Sequence, residues 1–385
     1  MSALALVAHE WGAQVGGSDR ARSSYVERLE ASGIPVAIGH DAASVPEDAE
    51  VVVSSAIAAD NPEVSRARVK KRAELLAELV ALRPSIVVAG AHGKTTTTGM
   101  ISYVLDRLGL DPAFLIGGEI PQLDGNARAG EGWLVAEGDE SDRSLELLEP
   151  QIAVLTNVEL DHHATFASEA EVRELFERWL ERAPETVRGE GLEPVRFELA
   201  VPGEHNRRNA ATALATLELA GVPRADAERV LPGFAGAGRR FEPRGEAAGV
   251  RVFDDYGHHP REIAATLAAA RGTANGGRLL VVFQPHLYSR TRHLAHELAR
   301  ALSAADAVAV TGVYAAREAP VPGVEGKLVV DALVAERPGM AVAWTPELED
   351  AVSFLARRVR PGDLVLTIGA GDVERAGPLL LEELG

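Results

Sequence analysis

Short β-branched runs alternate with longer Ala/Leu/Glu/Arg stretches along the whole chain, and this rhythm limits the fold more than any other feature. The runs include Val51 to Val53, Ile86 to Val88, Ile152 to Leu155, Leu279 to Phe283, Ala307 to Val310 and Leu364 to Ile368. Helix-forming stretches lie between them, at Lys71 to Ala81, Thr95 to Leu108, Arg261 to Ala270 and Arg292 to Ala304. Strands separated by helices pair in parallel, because the crossover returns the chain to the same edge. The expected fold class is therefore α/β, with helices on both faces of parallel sheets. There is no repeat period of a few tens of residues, which excludes a solenoid.

At 385 residues the chain is long enough for two or three domains. Three blocks are expected: residues 1–82, residues 83–242 and residues 243–385. Leu123 to Gly132 and Ala183 to Pro194 read as loosely organised. The chain opens with an apolar helix, Ser2 to Glu10, then a strand over Ala13 to Gly16 and the acidic end Ser18-Asp19. That order is the back half of a Rossmann-type unit.

Asp and Glu total 57 against 39 Lys and Arg, a net charge of −18. So acidic a chain repels a phosphate backbone, and no nucleic-acid partner is expected. Cysteine is absent, which excludes disulfides and thiolate metal sites. No apolar run approaches the ~18 residues of a membrane span, and the first residues lack a secretory pattern. A cytoplasmic enzyme with no membrane partner fits; the oligomeric state is not encoded in any pattern here.

"SIVVAGAHGKTTTTGM" carries the strongest chemistry. A buried strand runs into Gly90-Ala91-His92-Gly93, and Lys94-Thr95-Thr96 begin a helix. Backbone N–H groups and the positive end of the helix then surround a phosphate chain. Lys94 reaches the outer phosphates and the Thr95 hydroxyl suits Mg²⁺. The spacing G-x-x-G-K-T is shorter than the standard phosphate loop, because Val88 stands where the first Gly would be. We read it as an ATP site.

Other clusters sit at expected strand ends, where such sheets form their ligand crevice. "VAEGDESDRS" supplies Glu137, Asp139, Glu140 and Asp142, and "TNVELDHHATF" supplies His162 and His163. A carboxylate and an imidazole from these loops suit a second Mg²⁺; equally, the acidic run reads as a solvated loop and the His pair as a cap. "PGEHNRRNAATAL" is a loop entering a helix near Asn206 and Asn209. "GRRFE" brings Arg239 and Arg240. "VFDDYGHHPREI" brings Asp254, Asp255, His258 and His259, and "VVFQPHLYSRTRHL" brings His286, Arg290 and Arg292. Arginines there suit carboxylate or phosphate recognition.

Taken in order, "GGSDR", "VVVSSAIAADNPE", "GAHGKTTTT", "AEGDESD", "TNVELDHH", "PGEHNRRNA", "RRFE", "DDYGHHPREI", "QPHLYSRTR" and "GDLVLTIGAGDV" resemble the Mur ligases over nearly the whole chain. The resemblance implies a Rossmann-like UDP-binding domain, here incomplete, a shortened central P-loop ATPase domain with a parallel sheet, and a Rossmann-like carboxy-terminal domain for the amino acid. It implies that ATP activates the carboxylate of UDP-N-acetylmuramate as an acyl phosphate, which the amine of L-alanine attacks, in peptidoglycan precursor synthesis. A relative adding a peptide, or an ATP-binding remnant without activity, fits the same motifs.

By position, the resemblance makes Gly90, Ala91, His92, Gly93, Lys94, Thr95 and Thr96 the ATP loop, with Thr95, Glu137 and His162 holding Mg²⁺. Asn206 and Asn209 fall at adenine, and Arg240 and Asp255 at phosphate and ribose. Tyr256, His258, His286 and Arg290 fall near the amino acid, and Ser18, Asp19, Ser54 and Ser55 on the uridine side. Lys94, Glu137, His162, His258 and Arg290 are the candidate catalytic set. Family members begin with a strand and a G-x-G-G-x-G-M loop, and Met1 here stands at the final Met of that loop. They also carry more chain between His162 and Pro202, and the residues after Arg182 are not expected to rebuild the sheet there. Leu287 stands where many relatives have Arg.

Overall fold

The computed structural model describes residues 1–385 except 55, 56, 59, 66, 67, 161–164 and 317. The described chain forms two compact units, residues 1–199 with 207–235, and residues 200–206 with 236–385.

A six-stranded sheet organises the first unit. Its strands lie in the order Glu185–Arg188, Ile152–Leu155, Ser85–Ala89, Leu134–Glu137, Ala113–Ile120 and Gly125–Arg128. All neighbours are parallel except the last pair. Ser85–Ala89 and Ile152–Leu155 are buried along their full length, as uninterrupted β-branched runs must be when both faces are covered. Helices Ser2–Glu10, Arg72–Leu82 and Glu169–Leu180 contribute Leu4, Val7, Leu79, Val80, Phe176 and Trp179 to one core with Val87, Ala89 and Leu134. Fully burying side chains of this size stabilises the fold by ~1.5–3 kcal/mol each. The indole N–H of Trp179 donates to the Leu148 carbonyl at 3.0 Å, so its polar atom is satisfied inside that core.

Two expectations are corrected in this sheet. Residues 183–194, read as loose, contain Glu185–Arg188, which pairs in parallel with Ile152–Leu155 and adds one edge strand to the sheet. Residues 123–132 contain Gly125–Arg128, antiparallel to Ala113–Ile120. Both strands lack an apolar run because they are edges: only Val187 of the first is buried. A third correction is of position: the first strand is Gly17–Asp19, just beyond the expected residues 13–16.

Ahead of the large sheet, Gly17–Asp19 pairs in parallel with Val36–Ile38, and Glu50–Val53 with Arg68–Lys71. These remain two separate two-stranded sheets among the described residues.

The second unit repeats the six-stranded plan in the order Glu242–Ala247, Val250–Asp255, Leu364–Ile368, Leu279–Phe283, Ala307–Val310 and Ala341–Trp344. Only the first pair is antiparallel. Leu364–Ile368 enters last in the chain yet lies between the two strands whose order reverses around it. The carboxyl ends of Val250–Asp255, Leu364–Ile368 and Leu279–Phe283 are therefore neighbours, which is where a crevice forms. Helices cover both faces, one over Val281 and Leu366, the other over Leu280 and Val365. No described helix is long and apolar enough to cross a membrane.

Candidate active site

In the first unit, three adjacent strand ends converge on one loop. Gly90 has φ 130° and Gly93 φ 81°. A Cβ at Gly90 would lie 2.2 Å from Thr156 Oγ1 and 2.8 Å from the Asn157 carbonyl; at Gly93 it would lie 2.4 Å from Asn209 Oδ1. Glycine is thus required at both positions by conformation and by space. The loop is braced by the end of Ile152–Leu155. Thr156 Oγ1 donates to the His92 carbonyl at 2.6 Å, and Asn157 Nδ2 donates to it at 2.9 Å. The His92 N–H donates to Asn157 Oδ1 at 3.0 Å and the Ala91 N–H to the Asn157 carbonyl at 3.1 Å. His92 Nε2 lies 2.8 Å from Glu159.

Helix Lys94–Arg107 starts at Gly93, with Thr96 buried in its first turn. Lys94 Nζ donates to the Gly90 carbonyl at 2.5 Å and to both oxygens of Glu140 at 3.0 and 3.2 Å. Burial pulls this ammonium's pKa down, but Glu140, with Asp139 and Glu137 behind it, outweighs burial and holds the pKa above the ordinary lysine value. Thr95 Oγ1 donates to Glu137 Oε2 at 3.2 Å, and the Gly117 N–H to Glu137 Oε1 at 2.6 Å. A hydroxyl, a carboxylate and a fixed ammonium thus gather at the positive end of a helix, a set suited to a phosphate chain with a hard cation.

In the second unit the crevice is lined by rings. Tyr256, His258, His286 and Tyr314 form a ladder with centroid separations of 5.5, 5.4 and 6.0 Å. Arg290 Nη1 donates to His286 Nδ1 at 2.9 Å; a guanidinium only donates, so His286 carries its proton on Nε2. His258 Nδ1 lies 3.1 Å from the Tyr256 carbonyl, which only accepts, so its proton is on Nδ1. Nδ1 is therefore an acceptor on His286 and a donor on His258. Arg239 and Arg240 flank the Tyr256 ring, each 5.2 Å from its centre. Arg239 also donates to Asp254 and to the Gly369 and Gly371 carbonyls, fixing the loop after Leu364–Ile368.

Asp255 is buried. It accepts from the Gly257 N–H at 2.8 Å, the Phe241 N–H at 2.9 Å and Thr266 Oγ1 at 3.1 Å. Burial raises its pKa from 3.8 to about 6, against the opposing pull of Arg240 and of these backbone donors.

Residues 1–83 match the Mur ligase family catalytic domain, residues 88–187 the Mur ligase middle domain, and residues 239–371 the Mur ligase glutamate ligase domain. A UDP-N-acetylmuramate–L-alanine ligase of Streptomyces avermitilis is 41% identical, covering 100% of this chain and 95% of its own length. The chain belongs to the Mur ligase family. A second such relative, from Rubrobacter xylanophilus, is 43% identical over 100% of this chain and 97% of itself. The UDP-N-acetylmuramate-alanine ligase structure from Thermotoga maritima superposes on this Mur ligase with a TM-score of 0.83 at 27% identity, covering 99% of this chain and 96% of that one. The three-domain α/β architecture is therefore shared. The alignment to the S. avermitilis protein spans 443 residues against 385 here, so internal segments of that relative have no counterpart in this Mur ligase.

The structure brings Lys94, Thr95 and Glu137 together at the glycine loop, and Tyr256, His258, His286 and Arg290 together in the second unit. Asn209 packs against Gly93. Asn206 is buried and donates to the Pro202 carbonyl at 2.6 Å. Arg240 lies 3.7 Å from Glu262. Ser18 bonds His40 and Glu63 at 2.9 and 2.7 Å, Asp19 accepts from the Ala21 N–H, and Ser54 follows Glu50–Val53. His162 and Ser55 lie outside the described residues. The sequence reading missed the Thr156-Asn157 brace, the pairing of Glu140 with Lys94, and Tyr314. The signal for the first was present: two polar side chains directly after a fully apolar strand.

Proposed function

We propose that this Mur ligase joins L-alanine to UDP-N-acetylmuramate at the expense of ATP, through an acyl phosphate, in peptidoglycan precursor synthesis in the cytoplasm. Relatives of that name, alike over the whole chain, support the choice of substrates. The observation that carries the chemistry is the meeting of Lys94, Thr95 and Glu137 at the glycine loop. A working division of labour follows residues 1–82 for the uridine side, 83–242 for ATP and 243–385 for the amino acid.

A carboxylate resists attack by an amine, so activation by a phosphoryl group must come first. The start of Lys94–Arg107 holds the phosphates by backbone N–H groups, while Asn157 braces the Ala91 and His92 N–H groups of the loop before it, and Lys94 neutralises charge on the transferring oxygens. Thr95 and Glu137, both oxygen donors, fit Mg²⁺, which supplies further charge neutralisation on phosphate oxygens. In the second unit the Arg290 guanidinium suits the alanine carboxylate, with His286 and His258 beside it.

The test is a purified chain given ATP, UDP-N-acetylmuramate and L-alanine. ADP release that requires all three supports the reading. Release driven by L-alanyl peptides and not by L-alanine, or ATP binding with no turnover, overturns it.

A further inference from the structure

Glu140 is 3% exposed and faces Lys94 from the loop after Leu134–Glu137. With the Gly90 carbonyl it surrounds the ammonium at 2.5 to 3.2 Å. The loop's cation thus faces a carboxylate of the same fold, and the Glu137 carboxylate lies at Thr95. An approaching triphosphate, itself strongly anionic, meets the positive helix end, worth roughly half a charge, and a lysine already neutralised. Glu140 does not vacate this place cheaply: leaving Lys94 costs a buried carboxylate its charge-assisted contact.

We propose that Glu140, acting through Lys94, makes nucleotide binding at this loop conditional on a divalent cation. Paired with Glu140, Lys94 contributes too little net positive charge to hold a bare triphosphate; a metal-bound triphosphate brings the missing charge with it. Glu140 is in this sense a positioning residue. It fixes where the ammonium points and sets how much of its charge a ligand feels. This rests on reading the loop as the ATP site.

The experiment is calorimetric titration of the full chain with ATP, in excess Mg²⁺ and in EDTA. In E140Q the dissociation constant without metal falls about tenfold while that with metal changes little, so the metal dependence shrinks about tenfold, as expected for one unit charge at a partly buried contact. E140D retains the wild-type ratio. E149Q, which removes the same charge from an exposed residue, also retains it. An E140Q ratio equal to wild type, or an E149Q ratio that falls as far, overturns the proposal while leaving the ATP site intact. A wild type that fails to bind ATP even with Mg²⁺ overturns the ATP reading, and this inference with it. Should E140Q not fold, wild type alone decides: metal-free tripolyphosphate shows no saturable binding, and tight binding without metal refutes the idea.

Discussion

After Ser85–Ala89 the chain enters its helix through Gly93 at φ 81°; after Leu279–Phe283 it enters Tyr288–Leu302 through Leu287 at φ 68° and ψ 135°. Both steps have positive φ, but glycine sits in the left-handed helical region with ψ near 0°, whereas leucine takes an extended ψ. At Gly93 the absent side chain leaves room for Asn209. At Leu287 the step is sterically costly, about 1–3 kcal/mol. It persists because its N–H donates to the Tyr314 carbonyl at 2.9 Å and its carbonyl accepts from the Thr291 N–H and Oγ1 at 3.0 and 2.7 Å. At the glycine loop, side chains are cleared away so that neighbouring groups can approach the backbone. At Leu287, which lies between His286 and Arg290, the fold tolerates strain in the turn that carries these side chains. Charge follows the same division. Half-buried Lys94 lies beside a matching carboxylate, whereas buried Asp255 has backbone N–H donors and the pull of Arg240 to set against its desolvation.

The contrast breaks most directly at Gly90. Gly90→Ala forces a Cβ into Thr156 and the Asn157 backbone, and a loss of about 3–5 kcal/mol in urea unfolding is expected, as for other severe overpacking at a strained site. Wild-type stability in that variant would show that the brace yields, and the need for glycine would be lost. Asp255 tests the charge half. Its folded pKa of about 6 lies above the ordinary 3.8, so the native state keeps a proton that the unfolded chain releases between these values. Its contribution is full below about pH 4 and is lost as pH rises through about 6, roughly 3 kcal/mol in all. Denaturation of wild type and Asp255→Asn across pH 4 to 7 should show that slope in the first and not in the second.

Arg290→Gln releases His286 from its tautomer, since a glutamine amide can donate or accept at Nδ1. The KM for L-alanine is expected to rise about tenfold, with ATP affinity unchanged, the worth of one charge-assisted hydrogen bond. The smallest effect is at the strained step itself. Leu287→Gly should raise stability by about 1 kcal/mol, read as a shift in the urea midpoint, because glycine adopts that φ without steric cost. A loss of stability instead would mean that the leucine side chain contributes more than its backbone costs.

Much of this was legible in the sequence because burial writes itself into composition. The strands Ile152–Leu155, Leu279–Phe283, Ala307–Val310 and Leu364–Ile368 fall where their apolar runs lie. Edge strands left weaker traces: "ETVR" presents all but Val187 to water, and "GNAR" buries only a glycine and an alanine, so no strong hydrophobic pattern marks either. The glycine loop and its Lys-Thr pair were readable as a motif. Glu140 was not separable from its acidic neighbours, because which of them turns inward depends on the path of the loop after Glu137. Tyr314 comes from a different strand end, Ala307–Val310, and meets His286 only through the sheet order.

The two amino-terminal strand pairs, each only three or four residues long, lack the thick covering enjoyed by the large sheets; Ile38 and Val69 stand 51% and 41% exposed. Such short ladders open without unfolding their neighbours. Deuterium should therefore enter these amides first when the protein is placed in heavy water, and a protease added at low dose should nick here while the glycine loop is still intact.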